Sequence, residues 1–422
     1  MVVNRSFWCR LVLVSMAVLF LLAPPAATGA PSRPFPRHAV YTAGTILPSH
    51  KPRAVLDDGV RAFYDAWKDA FVRAGCGAGR YYIALDGRSG AVAATTPLSV
   101  SEGIGLGMLI VPHMAGYDPK AQAVFDGLYL FFRDHPSQHD PDLMAWRQMG
   151  DCASSGDPNS ASDGDLNIAY GLLLAHAQWG SGGKVAYRTE ALKVMAALQR
   201  RVIHPDSDLV QMGDWVDPAY PLEYEAVRTS DLMPLQLRSF NRAGGQSGWA
   251  DAAAASLSLM VRLQQNWAPG TGLVPDFAVS TTTTQPRPAA PGFVGAADAG
   301  QYAFNACRVP WQVGADYLIY GTTKSRTVTI RMLTWLQTAS GGDIYRIYGG
   351  YNLNGTATVG WNYVCFTGAF GVGAMVDARY QELLNDIWDD VAITTAGDPT
   401  DYYGATLRMV YLLAMSGNLW AP

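Results

Sequence analysis

The chain has 422 residues, of which 49% are hydrophobic and 16% are charged, so it can bury a large core and is expected to be globular. Its formal net charge is -4 at pH 7, which provides no basic surface and argues against nucleic acid as a partner. It contains only seven histidines, so the composition gives little support for metal chemistry. The sequence therefore predicts neither a metal site nor another cofactor.

The N-terminus has the pattern of an export signal. Arg5 and Arg10 come before the apolar run 11–23, and small residues and prolines follow as far as Ala30. This pattern predicts a signal peptide over residues 1–30, a single domain over residues 31–422, and a secreted or periplasmic monomer without a stable membrane span. An uncleaved anchor is the alternative, but the apolar run is shorter than the roughly 20 residues that cross a bilayer.

Four cysteines remain after removal of the signal peptide, namely Cys76, Cys152, Cys307 and Cys365. An oxidising compartment would allow two disulfides, and the sequence does not choose among the three possible pairings. Cys307 and Cys365 lie in apolar helical segments, so buried free thiols are an equally good interpretation for these two residues.

Apolar residues recur at steps of three and four along most of the chain, as they do in amphipathic helices. The twelve segments that show this pattern are Leu56–Ala74, Glu102–Ala115, Lys120–Arg133, Asp163–Trp179, Lys184–Val202, Asp231–Ala243, Trp249–Trp267, Asn305–Tyr320, Arg326–Ala339, Val364–Met375, Ala378–Val391 and Asp401–Met415. Twelve helices without a long polar linker predict an all-α fold. We expect an (α/α)6 barrel, in which six helical hairpins close into a ring within a single domain.

Two kinds of non-helical segment interrupt this pattern. Tyr81–Leu85 and Ile344–Tyr348 resemble strands but are short and isolated, so we expect them to form loop hairpins. The long stretch Ala268–Phe304 is rich in threonine and proline near its middle. We expect it to run over the surface and return as one wall of a cleft, with a flexible insertion as the alternative.

Two apolar helices are predicted to begin with acidic residues. Asp163 and Asp165 lie on the first turn of one of them, and Ser101 and Glu102 open the other. Unpaired backbone N–H groups and the helix dipole favour anions at these positions, so the acids can remain ionised while they face a cleft. A carboxylate that only caps its helix is the alternative at each position. Acids at two helix starts suggest acid/base hydrolysis.

The loops between helices combine aromatic and polar residues, as in Trp146, Trp215, Phe304 and Tyr351. Sugar rings pack their C–H faces on aromatic rings, while their hydroxyls hydrogen-bond to polar side chains. Any one of these aromatic residues alone is better explained as part of the core. Several of them in loops predict a cleft for a glycan.

The segment Ala161–Trp179 resembles the signature of glycoside hydrolase family 8. Four further segments fit the family, and the resemblance covers nearly all of the mature chain: these are Ser101–Met108, Asn305–Trp311, Ala369–Val372 and Met415–Asn418. The resemblance implies an (α/α)6 barrel that is secreted or periplasmic. It also implies cleavage of β-1,4 glucans, mixed-linkage glucans, chitosan or xylan with inversion.

Roles for particular residues follow from the same resemblance. Glu102 would be the general acid, and Asp163 would hold the sugar at the cleavage site and stabilise positive charge on its ring. The residues predicted to contact substrate are Trp146, Trp215, Asp231, Asn305, Arg308 and Tyr351.

The general base is where the chain departs from the family pattern. Many members have an aspartate at the position of Asn305, and an amide cannot accept a proton from water. A chitosanase- and lichenase-like branch has asparagine there and places a glutamate in the preceding loop, at the position of Gly295 in this chain. The nearest acid is Asp298, which we predict to be the base, with Asp276 and Asp231 as alternatives.

The expected function is that of a secreted inverting endo-hydrolase of β-1,4-linked polysaccharide, either cellulose or mixed-linkage glucan. A chitosanase is the second possibility, because Asp231, Asp276 and Glu225 could meet amines. The missing base and Gln312, which replaces a frequent arginine, also allow a glycan-binding homologue with weakened or lost turnover. Lyase or phosphorylase chemistry on the same barrel is a further alternative.

Overall fold

The computed structural model describes Met1 and residues 30–88, 90–392 and 398–422. The predicted signal peptide lies, apart from its two end residues, outside the described part of the chain. No helix among the described residues is both long enough and apolar enough to cross a membrane.

The described residues form twelve helices of ten or more residues, together with a single helical turn, α6. The helices are α1 (Arg53–Phe71), α2 (Ser101–His113), α3 (Ala121–Asp134), α4 (Ser162–Trp179), α5 (Tyr187–Arg201), α6 (Pro221–Tyr224), α7 (Pro234–Ala243), α8 (Trp249–Trp267), α9 (Val309–Tyr320), α10 (Thr323–Ser340), α11 (Val364–Ala374), α12 (Gln381–Val391) and α13 (Tyr402–Met415). Each of the twelve predicted helices therefore has a counterpart in the structure.

The long helices form two concentric layers. Helices α2, α4, α7, α9, α11 and α13 each contact the next one, and α13 returns to contact α2, which closes an inner ring. An outer helix packs against each of them: α3 on α2, α5 on α4, α8 on α7, α10 on α9, α12 on α11 and α1 on α13. This arrangement confirms the predicted (α/α)6 barrel.

The two layers differ because their sequences differ. Helices α2 and α11 are buried around nearly their whole circumference, whereas α1 buries one stripe that includes Val60, Phe63 and Trp67. Inner helices approach one another closely where they carry glycine. A Cβ atom at Gly105 of α2 would lie 2.6 Å from the carbonyl oxygen of Gly164 in α4. This contact brings together the two helices that carry Glu102 and Asp163.

Short strands lie at the ends of the barrel. Strand β1 (Val72–Ala74) pairs with β2 (Tyr81–Ile83), and β3 (Pro97–Val100) pairs with β4 (Arg147–Met149). Strands β5 (Val227–Arg228), β6 (Phe277–Val279) and β7 (Arg287–Pro288) form an antiparallel sheet in that order.

The two predicted loop hairpins have different outcomes. The hairpin at Tyr81–Leu85 is confirmed, because β2 pairs with β1. The residues of β1 were predicted to end the first helix, which in the structure ends at Phe71. The hairpin at Ile344–Tyr348 is wrong, because Ile344–Arg346 forms a 3₁₀ turn. The Asp343 side chain accepts a hydrogen bond from Tyr345 N and caps this turn.

The stretch 268–304 is packed into the structure, so a flexible insertion is the wrong interpretation. It contributes β6 and β7 and shares a small apolar core with the loops before α7. This core consists of Met212, Ala226, Phe277, Val279, Ala289, Phe293 and Ala299. The same stretch walls a cavity, as predicted, through Phe277, Val294 and Ala296.

The structure pairs Cys76 with Cys152 and Cys307 with Cys365. Buried free thiols are therefore the wrong interpretation for Cys307 and Cys365. Their disulfide joins the 3₁₀ turn Ala306–Arg308, which precedes α9, to the first turn of α11. It holds the backbone directly beside Arg308.

An outer helix runs back between each inner helix and the next one along the chain, so all six inner helices begin at the same end of the barrel. Glu102, Asp163 and Tyr402 lie on the first turns of α2, α4 and α13. Asp231 and Arg308 lie in the 3₁₀ turns that precede α7 and α9. Barrel closure thus gathers residues from distant parts of the sequence at one end.

Candidate active site

A cleft opens at this end of the barrel and consists of two adjoining cavities of about 250 and 520 Å³. Both cavities are lined by Trp146, Ala161, Arg228 and Asn305. The inner cavity is also lined by Val100, Ser101, Glu102, Asp163, Arg308 and Tyr402. The outer cavity is also lined by Asp157, Asn159, Ser160, Met212, Trp215, Phe277, Val294 and Ala296.

Arg308 joins the two predicted catalytic acids. Its Nη1 atom donates to Glu102 Oε2 at 2.6 Å and to Asp163 Oδ2 at 2.8 Å. Its Nη2 atom donates to Ser230 Oγ at 2.8 Å and to Asn305 Oδ1 at 3.2 Å. The guanidinium is almost wholly enclosed, with only 5% of the side chain exposed. It therefore fixes both carboxyl groups in the inner cavity.

Glu102 and Asp163 have pKa values that are shifted in opposite directions. Burial raises the pKa of Glu102, the Arg308 charge offsets part of that effect, and the Asp163 charge raises it further. Burial alone would also raise the pKa of Asp163, but the charges of Arg228 and Arg308 outweigh it and hold this pKa below its ordinary value. The site thus favours one protonated carboxyl group beside one ionised carboxylate.

Tyr402 is a further partner of Glu102. Its hydroxyl donates to Glu102 Oε1 at 2.9 Å, which favours the ionised form and lowers the pKa of Glu102. Tyr402→Phe should raise the pKa of Glu102 further, so the activity lost at high pH by deprotonation of the acid should be lost at a higher pH. The pH profile of kcat measures this shift, and kcat at its optimum should fall by no more than about tenfold. An unchanged alkaline limb would contradict the role of Glu102 as acid.

Asp165, the second acid on the first turn of α4, is structural. It is fully buried, and its Oδ1 atom accepts a hydrogen bond from Met144 N at 2.9 Å. Burial raises the pKa of this carboxyl group well above its ordinary value. It supports the loop that places Trp146 beside the start of α2, where Ser101 N donates to Trp146 O at 2.9 Å.

Trp146 and Trp215 both line the cleft, as the sequence predicted. The Trp146 ring stacks on the Arg147 guanidinium, whose centre lies 4.4 Å from the ring centroid. The Trp215 ring folds over Gly213, where a Cβ atom would lie 2.6 Å from the indole nitrogen. The two rings provide apolar faces along the outer cavity.

Tyr351 does not line either cavity. Its side chain is buried, and its hydroxyl accepts from Tyr348 N at 2.6 Å and donates to Arg346 O at 3.1 Å. It therefore serves the packing of the loop before α11, and the prediction that it contacts substrate is not supported by its position.

Asp231 is fully buried and lies outside the lining of the cleft. Its Oδ2 atom lies 3.6 Å from Arg228 Nη1 and has no hydrogen-bond partner in the described part of the chain. Burial raises its pKa to about 7. This position separates Asp231 from substrate and makes it a neighbour of Arg228 instead.

Asp276 is held by four hydrogen bonds. It accepts from the backbone N–H groups of Ala303, Asn305 and Ala306, and from Asn305 Nδ2, at 2.7 to 3.0 Å. Burial raises its pKa to about 6. A carboxylate saturated in this way cannot also accept a proton from water. Its role is to orient Asn305, which lines both cavities as predicted.

Asp298 and Gly295 lie on the loop that walls the outer cavity through Val294 and Ala296. Asp298 is half-buried and does not line the cleft, and its side chain has no hydrogen-bond partner within the described ranges. Gly295 has a φ of 82°, and open space surrounds the position of a Cβ atom there.

Gln312 Nε2 donates to Ser230 O at 2.8 Å. It thereby supports the turn Thr229–Asp231, in which the Ser230 hydroxyl accepts from Arg308.

Arg228 lines both cavities but was not identified as a site residue from the sequence. Arg228 Nη1 lies 3.6 Å from Asp163 Oδ2, and its Nε atom has no partner among the described residues. Phe304 and Trp361 are 39% and 48% exposed, and their ring centroids lie 6.1 Å apart. Phe304 belongs to an aromatic loop that the sequence did indicate, but no motif marks Tyr402 or Trp361.

Two carboxyl groups whose pKa values are shifted in opposite directions share one arginine in a cleft walled by indole rings, at the mouth of an (α/α)6 barrel. Together, these features define a glycoside hydrolase.

The comparisons with known proteins agree with this class. The model of the family "Glycosyl hydrolases family 8" matches residues 79–417. A β-glucanase of Niallia circulans is 35% identical over 421 residues, which are 99% of each chain. An endoglucanase of Bacillus sp. strain KSM-330 is 30% identical over 92% of this chain and 82% of its own. The apo structure of a β-1,3-1,4-glucanase from Paenibacillus sp. X4 has a TM-score of 0.87 at 34% identity and covers 93% of this chain and 100% of its own. The chain belongs to glycosyl hydrolases family 8.

Proposed function

We propose that the protein is a secreted, inverting endo-β-glucanase that cleaves β-1,4 linkages in mixed-linkage glucan or cellulose. The observation that carries this proposal is the Arg308 bridge between Glu102 and Asp163, whose pKa values are shifted in opposite directions. The names of the β-glucanase and endoglucanase relatives support a glucan as substrate.

In the proposed reaction, Glu102 gives its proton to the glycosidic oxygen as the bond from that oxygen to the anomeric carbon breaks. Water attacks the opposite face of the same carbon and loses a proton to a base. Asp163 remains ionised because Arg228 and Arg308 lie beside it, so it can stabilise positive charge on the sugar ring. Inversion of a β linkage gives an α-anomer as the first product.

We assign the base to Asp298. Of the three acids considered from the sequence, Asp276 is saturated with hydrogen bonds and Asp231 is sealed behind Arg228. Asp298 keeps a carboxylate without a described partner on the loop that walls the outer cavity. This assignment requires the loop to bring the Asp298 carboxylate to the water that attacks the bound sugar.

Asp298→Asn should lower kcat on mixed-linkage glucan by at least about a hundredfold while KM changes little, because an amide cannot take the proton of water. Asp157→Asn is the matched control, since it makes the same change at a carboxylate that lines the outer cavity. Full activity of the Asp298 variant would remove this residue from the mechanism.

The charges of the cleft favour neutral glucan over chitosan. Arg228 and Arg308 line it, whereas Asp231, Asp276 and Glu225, which could have met amines, do not. When Glu102 carries its proton, the two remaining carboxylates of the lining, Asp157 and Asp163, only balance the two guanidinium groups. A protonated glucosamine would therefore meet no surplus of negative charge. A glycan-binding homologue with lost turnover is the second candidate, because Asn305 and Gly295 occupy the positions at which the family resemblance expects a base.

Reducing-sugar release by the mature protein tests these alternatives. We expect release from lichenan and from carboxymethylcellulose but not from chitosan, and proton NMR should show the α-anomer before mutarotation. Release from chitosan alone would favour the chitosanase, and binding of lichenan without release would favour the glycan-binding homologue. The N-terminal sequence of the exported protein tests removal of residues 1–30.

A further inference from the structure

A further cavity, of about 570 Å³, lies outside the cleft. It is an open groove between the C-terminal parts of α8 and α10, and we call it the α8/α10 groove. Its lining residues are Gln265, Pro269, Gly270, Thr271, Gly272, Ile330, Arg331, Thr334, Trp335 and Thr338. None of them lines either cavity of the cleft.

The groove runs along one face of α10. Ile330, Thr334 and Thr338 follow one another at four-residue steps, and Arg331 and Trp335 form a parallel row. The helix rises by about 12 Å between Ile330 and Thr338, so the groove is elongated. The loop after α8, residues 269–272, forms the other side of the groove. This loop approaches α10 closely, since a Cβ atom at Gly272 would lie 2.7 Å from Arg331 Cβ. An elongated groove suits an extended polymer.

The groove presents polar groups that the protein itself does not use. Gln265 and Arg331 are exposed, and neither side chain has a hydrogen-bond or ion-pair partner in the described part of the chain. Trp335 is half-buried, and its indole N–H likewise lacks a described partner. An indole ring beside an amide and a guanidinium group offers an apolar surface with several hydrogen-bond donors.

The groove lies behind the wall of the cleft. The Trp335 ring meets the Tyr351 ring edge-on, with centroids 5.0 Å apart. Tyr351 pairs through its backbone with Tyr302, three residues before Asn305, by hydrogen bonds of 2.9 and 3.0 Å. A polymer held in the groove would therefore stay close to the catalytic end of the barrel.

We propose that the α8/α10 groove is a second β-glucan-binding site, which holds the polymer without cleaving it. The proposal rests on glucan being the substrate of the cleft. The lining contains no carboxyl group, so the groove has no general acid, and its only charged side chain is Arg331. Neutral hydroxyls can accept from the guanidinium and indole N–H groups, while the ring face packs against the sugar.

The test compares a polymer with a short substrate. Trp335→Ala should raise KM for soluble mixed-linkage glucan by about two- to tenfold, the effect of one aromatic contact, and should leave kcat/KM for a short β-glucan oligosaccharide unchanged. Because Trp335 also contacts Tyr351, the double variant Gln265→Ala/Arg331→Ala is the second probe, and it should show the same selectivity. Tyr220→Ala, which changes an exposed aromatic residue elsewhere, is the control.

Binding is measured separately by electrophoresis in native gels that contain barley β-glucan, with every variant also carrying Glu102→Gln. Both groove variants should be retarded less than the Tyr220 control. Equal retardation, or an equal loss of activity on polymer and oligosaccharide, would overturn the second site. If the wild-type protein hydrolysed no glucan, the proposed function would be refuted. The gel would still test the groove, because binding in the gel does not require turnover.

Discussion

Replacing Glu102 with glutamine should lower kcat on mixed-linkage glucan by about a thousandfold or more, with KM within about threefold of the wild-type value. Glutamine has the shape of glutamate and can keep contacts with Tyr402 and Arg308, but it has no acidic proton for the leaving oxygen. The cleft would therefore still bind the sugar and fail at bond cleavage. Steady-state kinetics on lichenan, together with binding of a mixed-linkage oligosaccharide by calorimetry, measures the two effects separately.

Asp157→Asn serves as the control for this variant, because it removes a carboxylate from the same cleft without touching the Arg308 bridge. We expect its kcat to stay within about threefold of wild type. If Glu102→Gln retained wild-type turnover, Glu102 would not be the acid. If the variant lost binding as completely as activity, the carboxyl group would hold substrate instead of donating a proton.

Replacing Arg308 with alanine should reduce both activity and stability. Arg308 is the cation between two enclosed carboxyl groups. Its loss removes positive charge that stabilises the ionised forms of Asp163 and Glu102, and so raises both pKa values. Asp163 would no longer be held ionised so firmly, and kcat should fall by at least about a hundredfold. Breaking a buried ion pair also costs about 3–5 kcal/mol of unfolding free energy.

The matched control is Arg326→Ala, which breaks a more exposed pair between Arg326 and Asp377. We expect a loss of less than about 1 kcal/mol and no change in kcat. Urea unfolding gives the stability of both variants, and lichenan hydrolysis gives their activity. An Arg308 variant as stable and active as the control would contradict the electrostatic account of the site.

The barrel could be predicted because helical periodicity is local. Stripes such as Val60, Phe63 and Trp67 indicate a helix and its buried face without reference to the rest of the chain. The starts of α7 and α9 were placed too early, because Thr229–Asp231 and Ala306–Arg308 form 3₁₀ turns before them. The side chains of these turns bond across the barrel mouth, and such contacts are invisible to a local pattern.

The acids of the site could also be predicted, but their partners could not. Glu102 and Asp163 stand out because each is an acid on the first turn of a helix that is otherwise mostly apolar. Arg228 and Tyr402 become partners of these acids only when the ring closes and brings α13 beside α2. In the same way, Asp231 and Tyr351 were predicted to contact substrate from their neighbours in sequence. In the folded chain both side chains are buried outside the lining of the cleft.

The most direct test of the account is a crystal structure of Glu102→Gln with a mixed-linkage oligosaccharide long enough to span the cleft. We expect sugar rings on Trp146 and Trp215, a ring hydroxyl within hydrogen-bond distance of Asp163, and the glycosidic oxygen within about 3 Å of the residue 102 side chain. An oligosaccharide bound only in the α8/α10 groove, or with its linkages distant from residue 102, would contradict the assignment of this cleft as the site of hydrolysis.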